Sequence, residues 1–345
     1  MDNLTHSLAG AVLGQLGLKK KTGLGMATLI IAANIPDIDA FATLLGGQQH
    51  LALRRGITHG PIAMLVLPIL LTGLMIWFDR WQSRRGKRPD DRLPIHRGWL
   101  LALAFIGTLS HPALDWLNSY GVRLLEPFSS QWYYGDSIFI IDIWIWAALI
   151  AGVWISRRRE KKGRTDWQRP AWVSFAVICA YIFANGLITG KAEADTALAV
   201  EERTGIAPEL VVANPVPVTF WRREMIWQMV GDTGASYGET DFDLFSIEPF
   251  NWKGEVIQND ASPELVRAAR KIDVNADAFL FWSRMPVLQN ESEADGGNIL
   301  KMGDMRFRDP LVQGRFGVLT KIPPTAIQYP DAPKDRFETA EDSAN

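Results

Sequence analysis

Four long apolar stretches in the first half of the chain restrict its fold more than any other feature. Each is 18 to 19 residues long, and a helix of that length, rising about 1.5 Å per residue, can cross a hydrocarbon core of about 30 Å. Tryptophans stand at or near their ends, where amphipathic rings favour the membrane–water interface. The sequence therefore predicts an all-α multi-span membrane domain with four full spans: Pro61–Phe78, Trp99–Leu117, Ile138–Ile155 and Ala171–Ile188.

Two shorter apolar segments precede these spans. They are Leu8–Leu18 and Leu24–Ile35, joined by Lys19–Lys21. Each would be under about 20 Å long as a helix, too short to span, so they predict an N-terminal short helical hairpin. Gly10 and Gly14 would let this hairpin pack closely against a neighbour.

Basic residues in the short loops predict the orientation. Residues 79–98 and 156–170 each hold seven Lys or Arg, whereas residues 118–137 hold only Arg123. Because Lys and Arg accumulate in cytoplasmic loops, the two basic loops are expected inside the cell. Counting spans then puts the Pro36–Gly60 loop and everything after Lys191 outside. The chain is thus predicted to be a multi-pass protein of the cell (inner) membrane with an extracytoplasmic C-terminal domain.

The remainder of the chain has the composition of a soluble protein. Residues 1–190 are assigned to the membrane domain, 191–330 to a soluble α+β domain, and 331–345 to a polar tail expected to be disordered. The soluble domain mixes helical with strand patterns. The helical segments are Ala192–Arg203 and Ser262–Lys271, and the strands are Val218–Val230, Ser236–Phe245, Ile299–Phe307 and Phe316–Ile322.

Charge and cysteine content narrow the classes of function. The 36 basic residues nearly balance the 38 acidic ones, so nucleic acid is not an expected partner. The single cysteine, Cys179, lies in an apolar run, which excludes a disulfide framework and a thiolate metal site within this chain. A metal would have to be held by histidine and carboxylate. The sequence does not indicate an oligomeric state.

Histidine and aspartate gather in five motifs of the membrane half. These are Asp2–His6, Pro36–Asp39, Arg55–His59, His111–Asp115 and Asp136–Asp142, and the predicted topology puts all of them at the extracytoplasmic membrane boundary. His111, Asp115 and Asn118 are spaced i, i+4 and i+7, on one helix face. Ionisable groups at such a depth are costly and usually functional. Mixed imidazole and carboxylate ligands suit a divalent metal, with zinc the first choice and manganese the alternative.

Individual residues keep alternative interpretations. Asp2 could cap a helix with His6 incidental, and Asp37 or Asp39 could simply end a helix. Within a metal site, Asp37 and Asp39 would point to different sides, so that one ligates while the other positions a ligand or acts as general base. Arg54 and Arg55 could clamp an anionic substrate such as a phosphate, or contact lipid headgroups.

Other polar residues of this half are weaker candidates. Asp142 is either a ligand or an interfacial carboxylate, and His50 lies on the predicted extracytoplasmic side in a Gly/Gln-rich stretch. His96 is interpreted as a solvated histidine of a basic loop.

With these motifs in view, the chain resembles the membrane-bound metal-dependent hydrolase family, also described as LexA-binding, inner-membrane-associated hydrolases. The resemblance is carried by MDNLTH at the start, PDID at residues 36–39, RGITHG at 55–60, HPALDWLNSYG at 111–121 and EPFSSQW at 126–132. It implies a helical core related to the zinc-dependent phospholipase C and single-strand nuclease group. The implied metal ligands are His6, Asp37, Asp39, His59, His111 and Asp115. The family often has histidine where this chain has Arg54, and serine where it has Gly60.

The function expected on these grounds is metal-dependent hydrolysis at the extracytoplasmic membrane surface, with a lipid or lipid-linked phosphoester as substrate and membrane lipid as partner. Asp37 and Asp39 are the expected catalytic carboxylates. One alternative is a non-catalytic membrane protein with a structural metal site and a partner-binding C-terminal domain. A transporter is a third hypothesis, disfavoured because the polar groups gather at one boundary and not at the midplane.

Overall fold

The computed structural model describes residues 1–231, 234–254, 256–294, 296–308 and 313–327. Its first half is helical. The α-helices are α1 (Asn3–Gln15), α2 (Gly25–Ala32), α3 (Gln49–Leu53), α4 (Pro61–Arg84), α5 (Arg97–Trp116), α6 (Ile143–Lys161) and α7 (Arg169–Thr204), with 3₁₀ segments at Leu18–Lys20, Ile35–Leu45 and Ile57–His59. The α1 helix packs on α2 and α6, α5 packs on α2 and α4, and α6 packs on α7.

Two of the described helices, α4 and α7, have both the length and the hydropathy to cross a membrane. A third candidate is the pair formed by α2 and the 3₁₀ segment Ile35–Leu45, which are bent by 41° at the short break between them. The prediction of a membrane-embedded helical half is therefore confirmed, with two to three candidate spans.

The prediction of four full spans is not supported. Its second span coincides with α5, where Arg97, His111 and Asp115 interrupt the apolar character. Its third coincides with α6, which carries three arginines in its last turns and begins at Ile143, five residues later than predicted, because Asp142 caps its N-terminus. The predicted short helices correspond to α1 and α2, which pack on each other, and the 3₁₀ segment Ile35–Leu45 follows α2.

Basic and site-bearing residues lie at opposite ends of the helices. Lys20, just after α1, lies 3.1 Å from Glu160 near the end of α6, and the backbone of His96, which precedes α5, donates to the Thr22 hydroxyl over 2.8 Å. The basic turns thus share one end of the bundle. His6 and His111 lie towards the other ends of α1 and α5.

Glycine permits the close packing of α1 on α2, the two arms of the predicted hairpin. A Cβ added at Gly10 would lie only 2.7 Å from the Leu29 carbonyl oxygen, and one at Gly14 would collide with Met26. The two helices therefore approach more closely than larger residues would allow. The close contact that these glycines make is within the hairpin, whereas the sequence predicted contact with a neighbour of the hairpin.

The second half combines antiparallel sheets with short helices. Its elements are β1 (Leu210–Pro215), β2 (Arg222–Gly231), β3 (Gly234–Asp243), β4 (Phe250–Trp252), β5 (Ile257–Gln258), α8 (Pro263–Ile272), α9 (Val274–Trp282), β6 (Pro286–Ser292), β7 (Asn298–Asp304), β8 (Gly317–Ile322) and α10 (Pro324–Ile327), with 3₁₀ segments at Met305–Phe307 and Gln313–Arg315. One described sheet has the order β1-β2-β3-β4, with β5 also on β3, and another has the order β6-β7-β8. Met225 of β2 is paired with Thr240 of β3, and Leu288 of β6 is paired with Met302 of β7.

The sheet-containing C-terminal domain agrees with the sequence prediction, but no loop separates the two halves at the predicted boundary. The α7 helix runs 36 residues without interruption through Gly190, so the predicted boundary falls inside a helix that joins the two halves. The predicted disordered tail, residues 331–345, lies outside the described residues.

The C-terminal domain packs on loops of the helical half. Tyr120 and Leu51 belong to the same apolar cluster as Trp282, and the indole of Trp282 donates to the Tyr120 carbonyl over 3.3 Å. The Arg306 guanidinium donates to the Ser119 carbonyl over 2.7 Å. The loop that follows α5 is thereby held between the two halves.

Candidate metal centre

His6 is positioned by the start of α1. The Asp2 carboxylate caps this helix by accepting from the backbone of Leu4 at 2.9 Å and of Thr5 at 3.1 Å. One turn later, His6 is fully buried. Capping by Asp2 and placement of His6 in the cluster are thus compatible, although the sequence presented them as alternatives.

Two 3₁₀ segments contribute the next side chains. Pro36 stands in the first turn of Ile35–Leu45, which carries Asp37 and Asp39, and His59 ends the short segment Ile57–His59. The predicted helix-face pair then follows on α5, where the imidazole Nε2 of His111 lies 3.5 Å from Asp115 Oδ2.

Four of these side chains converge on one point. Asp37, His59, His111 and Asp115 each offer one ligand atom, and all four atoms lie within 4.8 Å of one another. The four residues are 0 to 9% exposed. A buried cluster of two imidazoles and two carboxylates can bind a divalent cation.

Unpartnered atoms show that the cluster fits a metal. His59 Nε2 and His111 Nε2 are buried, and neither makes a hydrogen bond to the residues the structure describes. They lie 3.3 and 3.5 Å from Asp115 Oδ2. Buried polar atoms without a partner are costly. The opposite ring nitrogens are occupied, since His111 Nδ1 lies 2.7 Å from the Ala33 carbonyl and His59 Nδ1 lies 2.9 Å from the Thr58 hydroxyl. A carbonyl can only accept, so His111 carries its proton on Nδ1 and leaves Nε2 free as a ligand.

Asp115 lies at the centre of the cluster. The guanidinium of Arg55 approaches both of its oxygens at 3.0 Å, the Met1 amino group contacts Oδ1, and His59 Nε2 lies 3.3 Å from Oδ2. Opposite charge on Arg55 offsets the cost of burying this carboxylate.

Asp39 lies outside the group of four and supports it. Its Oδ2 accepts from the Arg55 backbone and from the Thr58 hydroxyl, both at 2.7 Å, and lies 3.4 Å from His59 Nδ1. This carboxylate therefore fixes the segment that carries His59, which was one of the two roles the sequence allowed for the Asp37–Asp39 pair.

His6 also lies beside the group of four. Its ring stacks on that of His111 with centroids 3.8 Å apart, and its Nε2 lies 3.3 Å from Asp115 Oδ1. Neither ring nitrogen has a hydrogen-bond partner among the described residues, so His6 is available as a further ligand.

The two arginines occupy different environments. Arg55 adopts a left-handed backbone with φ 54°, and its buried side chain is engaged by Asp115, Asn118 and the Gly121 carbonyl. Its guanidinium is therefore engaged within the site, whereas the sequence offered it as a clamp for an anionic substrate. Arg54 remains partly exposed and lies 3.4 Å from Asp37, so it alone of the pair stands at the edge of the cluster.

Comparison with known proteins assigns the helical half to a family. The family model described as YdjM inner membrane protein matches residues 1–192, which include every residue of the cluster. The chain belongs to the YdjM inner membrane protein family. No curated protein and no solved structure gave a significant match.

In this YdjM family member, the loop after α5 supports the RGITHG segment. A Cβ at Gly60 would collide with the Glu126 carbonyl oxygen, and one at Gly56 would collide with the Arg123 guanidinium. Arg123 in turn pairs with Glu126 at 3.2 Å. Glycine at position 60, where serine was expected from the resemblance, is explained by this contact.

Sequence reasoning did not single out Arg123 or Glu126 as supports of the site. Glu126 belongs to the EPFSSQW stretch that carries part of the resemblance, but contact with Gly60 depends on how two loops meet. Three weaker candidates lie outside the cluster: Asp142 caps α6 by accepting from the backbone of Trp144 and Ile145, His50 Nδ1 lies beside the Gly47 carbonyl, and His96 caps α5.

Proposed function

We propose that this protein is a metal-dependent hydrolase that acts at the extracytoplasmic surface of the inner membrane on a lipid or lipid-linked phosphoester. The observation that supports this most strongly is the convergence of His59 Nε2 and His111 Nε2, which make no hydrogen bond to the described residues, with the carboxylates of Asp37 and Asp115. These four residues would hold the metal, with zinc the first choice and manganese the alternative because the ligands are nitrogen and oxygen.

A bound divalent ion would supply Lewis acidity, lowering the pKa of a bound water towards about 7 and polarising a phosphoryl oxygen. The chain's own residues would do the remaining work. Asp39 holds the segment that carries His59, and Asp37, the most exposed of the four proposed ligands, would complete the metal site on the side of Arg54. Arg54 would attract the negative charge of a phosphoester.

A cavity whose lining begins at Asn118, three residues after Asp115, offers room for a substrate, although none of the four cluster residues lines it. It has a volume of about 820 Å³ and lies between the two halves of the chain. Asn118 and Tyr120 line it on the helical side, Phe139 and Ile140 on the segment before α6, and Phe316 in the C-terminal domain. Asn118 also accepts from Arg55 at 3.0 Å, which connects the wall of the cavity with the arginine that holds Asp115. Apolar walls with a few polar groups suit an amphipathic ligand.

The predicted orientation supports an extracytoplasmic location for the metal cluster. The basic turns, expected in the cytoplasm by the positive-inside rule, share the end of the bundle opposite the metal cluster. On this proposal the cluster and the C-terminal domain both face the extracytoplasmic side.

The test is hydrolysis by the full-length protein in lipid nanodiscs. Zinc- or manganese-loaded protein should cleave members of a panel of phosphoesters and phospholipids. An Asp39→Asn variant should bind metal about 10- to 100-fold more weakly, because residues that orient a ligand affect metal affinity by that amount. An exposed carboxylate outside the site, changed in Glu264→Gln, serves as the control.

A second function is favoured by the deep burial of the four residues. If metal is bound but no panel member is cleaved, and His111→Ala leaves cellular behaviour unchanged, the hydrolase proposal fails. A structural metal site with a partner-binding C-terminal domain would then remain, since structural sites are closed to water.

A further inference from the structure

Three large apolar side chains are exposed on loops at one end of the larger sheet. Val218 is 52% exposed, Phe245 is 73% exposed and Ile247 is 100% exposed. Val218 precedes β2, and the other two follow β3, whose end pairs with the start of β2. We call these three residues the apolar tip. A cluster of this kind on a water-soluble surface marks a binding surface.

A series of aromatic contacts connects the apolar tip with the membrane helices. The Phe245 ring lies 6.3 Å from that of Trp221, which lies 5.2 Å from Phe220. Phe220 in turn meets Trp144, in the first turn of α6, edge to face at 6.5 Å. The indole of Trp144 also donates to the Val218 carbonyl over 2.8 Å.

The depth of this segment follows from its contact with α7. The Phe220 ring packs against Tyr181 at 5.6 Å. Tyr181 precedes Ile188, the last residue of the apolar stretch, by seven residues, or about 10 Å of helix. Phe220 therefore lies alongside the apolar part of a helix that is long enough to cross the membrane, and lipid is the medium expected there.

The backbone of the apolar tip is held in an unfavourable conformation. Val218 has φ 70°, a left-handed geometry that β-branched residues rarely adopt. The Val218 carbonyl accepts from the Phe220 backbone at 3.2 Å as well as from Trp144, so these two contacts maintain the conformation.

Charged neighbours limit how deep the apolar tip can go. Arg222 pairs with Asp243 at 2.7 Å, and Glu248 next to Ile247 is exposed. Apolar residues with charges beside them suit the boundary between headgroups and acyl chains, and not the centre of the bilayer.

We infer that the apolar tip of the C-terminal domain inserts into the headgroup–acyl boundary of the membrane that α4 and α7 cross. The partner of this surface is a lipid bilayer. Insertion would anchor the domain at the membrane surface through α7 on one side and the tip on the other. It depends on no metal chemistry.

Environment-sensitive fluorescence can test this in full-length protein. On a Cys179→Ser background, which removes the single, exposed cysteine, Ile247→Cys is labelled with a nitrobenzoxadiazole dye and placed in nanodiscs of phosphatidylethanolamine and phosphatidylglycerol. Ile247 is fully exposed, so its replacement should not disturb folding. The matched control is Val230→Cys, another exposed apolar residue, eight residues along β2 from Arg222 and therefore about 26 Å from the tip end of the strand.

The expected result is blue-shifted emission at position 247 that is quenched by brominated acyl chains, with water-like, unquenched emission at position 230. Emission at 247 that matches the control would overturn the inference. So would a blue shift without quenching by lipid bromines, because the dye would then be buried against protein.

Discussion

The two histidines of the metal cluster, His59 and His111, each use one ring nitrogen for positioning and leave the other available to a metal. His111 is fixed by the Ala33 carbonyl at the end of α2, and His59 by Thr58 in its own short segment. The first anchor is a backbone atom, which no residue pattern could indicate. The sequence nevertheless predicted the four residues of the cluster, because spacing on α5 and the sidedness of the loops are both readable from residue types.

Replacing Gly60 by serine tests the support that the loop after α5 gives to this site. The backbone of Gly60 is in an ordinary extended conformation, so the only obstacle is the collision of a Cβ with Glu126. Gly60→Ser should lower the free energy of unfolding by about 1–3 kcal/mol. Thermal unfolding in detergent would measure this.

Gly73→Ser provides the control, because a Cβ at Gly73 in α4 meets nothing within 4 Å. Equal melting temperatures for the two variants would contradict the assigned contact.

At the scale of elements, caps and bends decide where helices begin. The α6 helix begins at Ile143 because the Asp142 carboxylate accepts from two backbone amides and also from the Tyr181 hydroxyl at 2.9 Å. This assigns Asp142 a structural role, which the sequence had left open.

Asp142→Ala should therefore destabilise the protein without affecting metal binding. Loss of a capping side chain costs about 1 kcal/mol, which would appear as a lower melting temperature. Metal content, measured on the same preparation, should stay at the wild-type level. A variant that loses its metal would show that Asp142 belongs to the centre after all.

The sequence predicted the types of elements better than their ends. Long apolar stretches identified α4 and α7, but the same hydropathy could not distinguish a full span from α5, whose His111 and Asp115 are turned into a buried cluster. The environment of Arg55 could not be predicted for a related reason. Its left-handed backbone and its pairing with Asp115 depend on tertiary contacts, while its neighbour Arg54 stays at the edge.

At the scale of the whole molecule, a buried ion pair of the C-terminal domain holds the arginine that bonds to the helical half. Arg306 pairs with Asp304 at 2.8 Å and donates to the Ser119 carbonyl. Burial alone would raise the pKa of Asp304, but the Arg306 guanidinium outweighs burial and holds that pKa below its usual 3.8. A carboxyl with a lowered pKa stabilises the fold at neutral pH, and that contribution is lost as the pH falls through the folded-state pKa.

Asp304→Asn should accordingly reduce the stability of the protein at pH 7 and weaken its further loss below about pH 4. Urea unfolding followed by tryptophan fluorescence, repeated from pH 7 to pH 3, would measure both. The exposed pair Arg267 and Glu264, which are 2.9 Å apart, gives a control in Glu264→Gln. If Asp304→Asn unfolds with the wild-type dependence on pH, the assigned role of the pair is incorrect.

The metal centre is the central claim, and elemental analysis of the purified full-length protein tests it most directly. Wild-type protein and His96→Ala, which changes a histidine at the far end of α5, should carry stoichiometric zinc or manganese, whereas His111→Ala should carry almost none. Metal content that is unchanged in His111→Ala, or wild-type protein that takes up no divalent ion when it is supplied, would contradict the account.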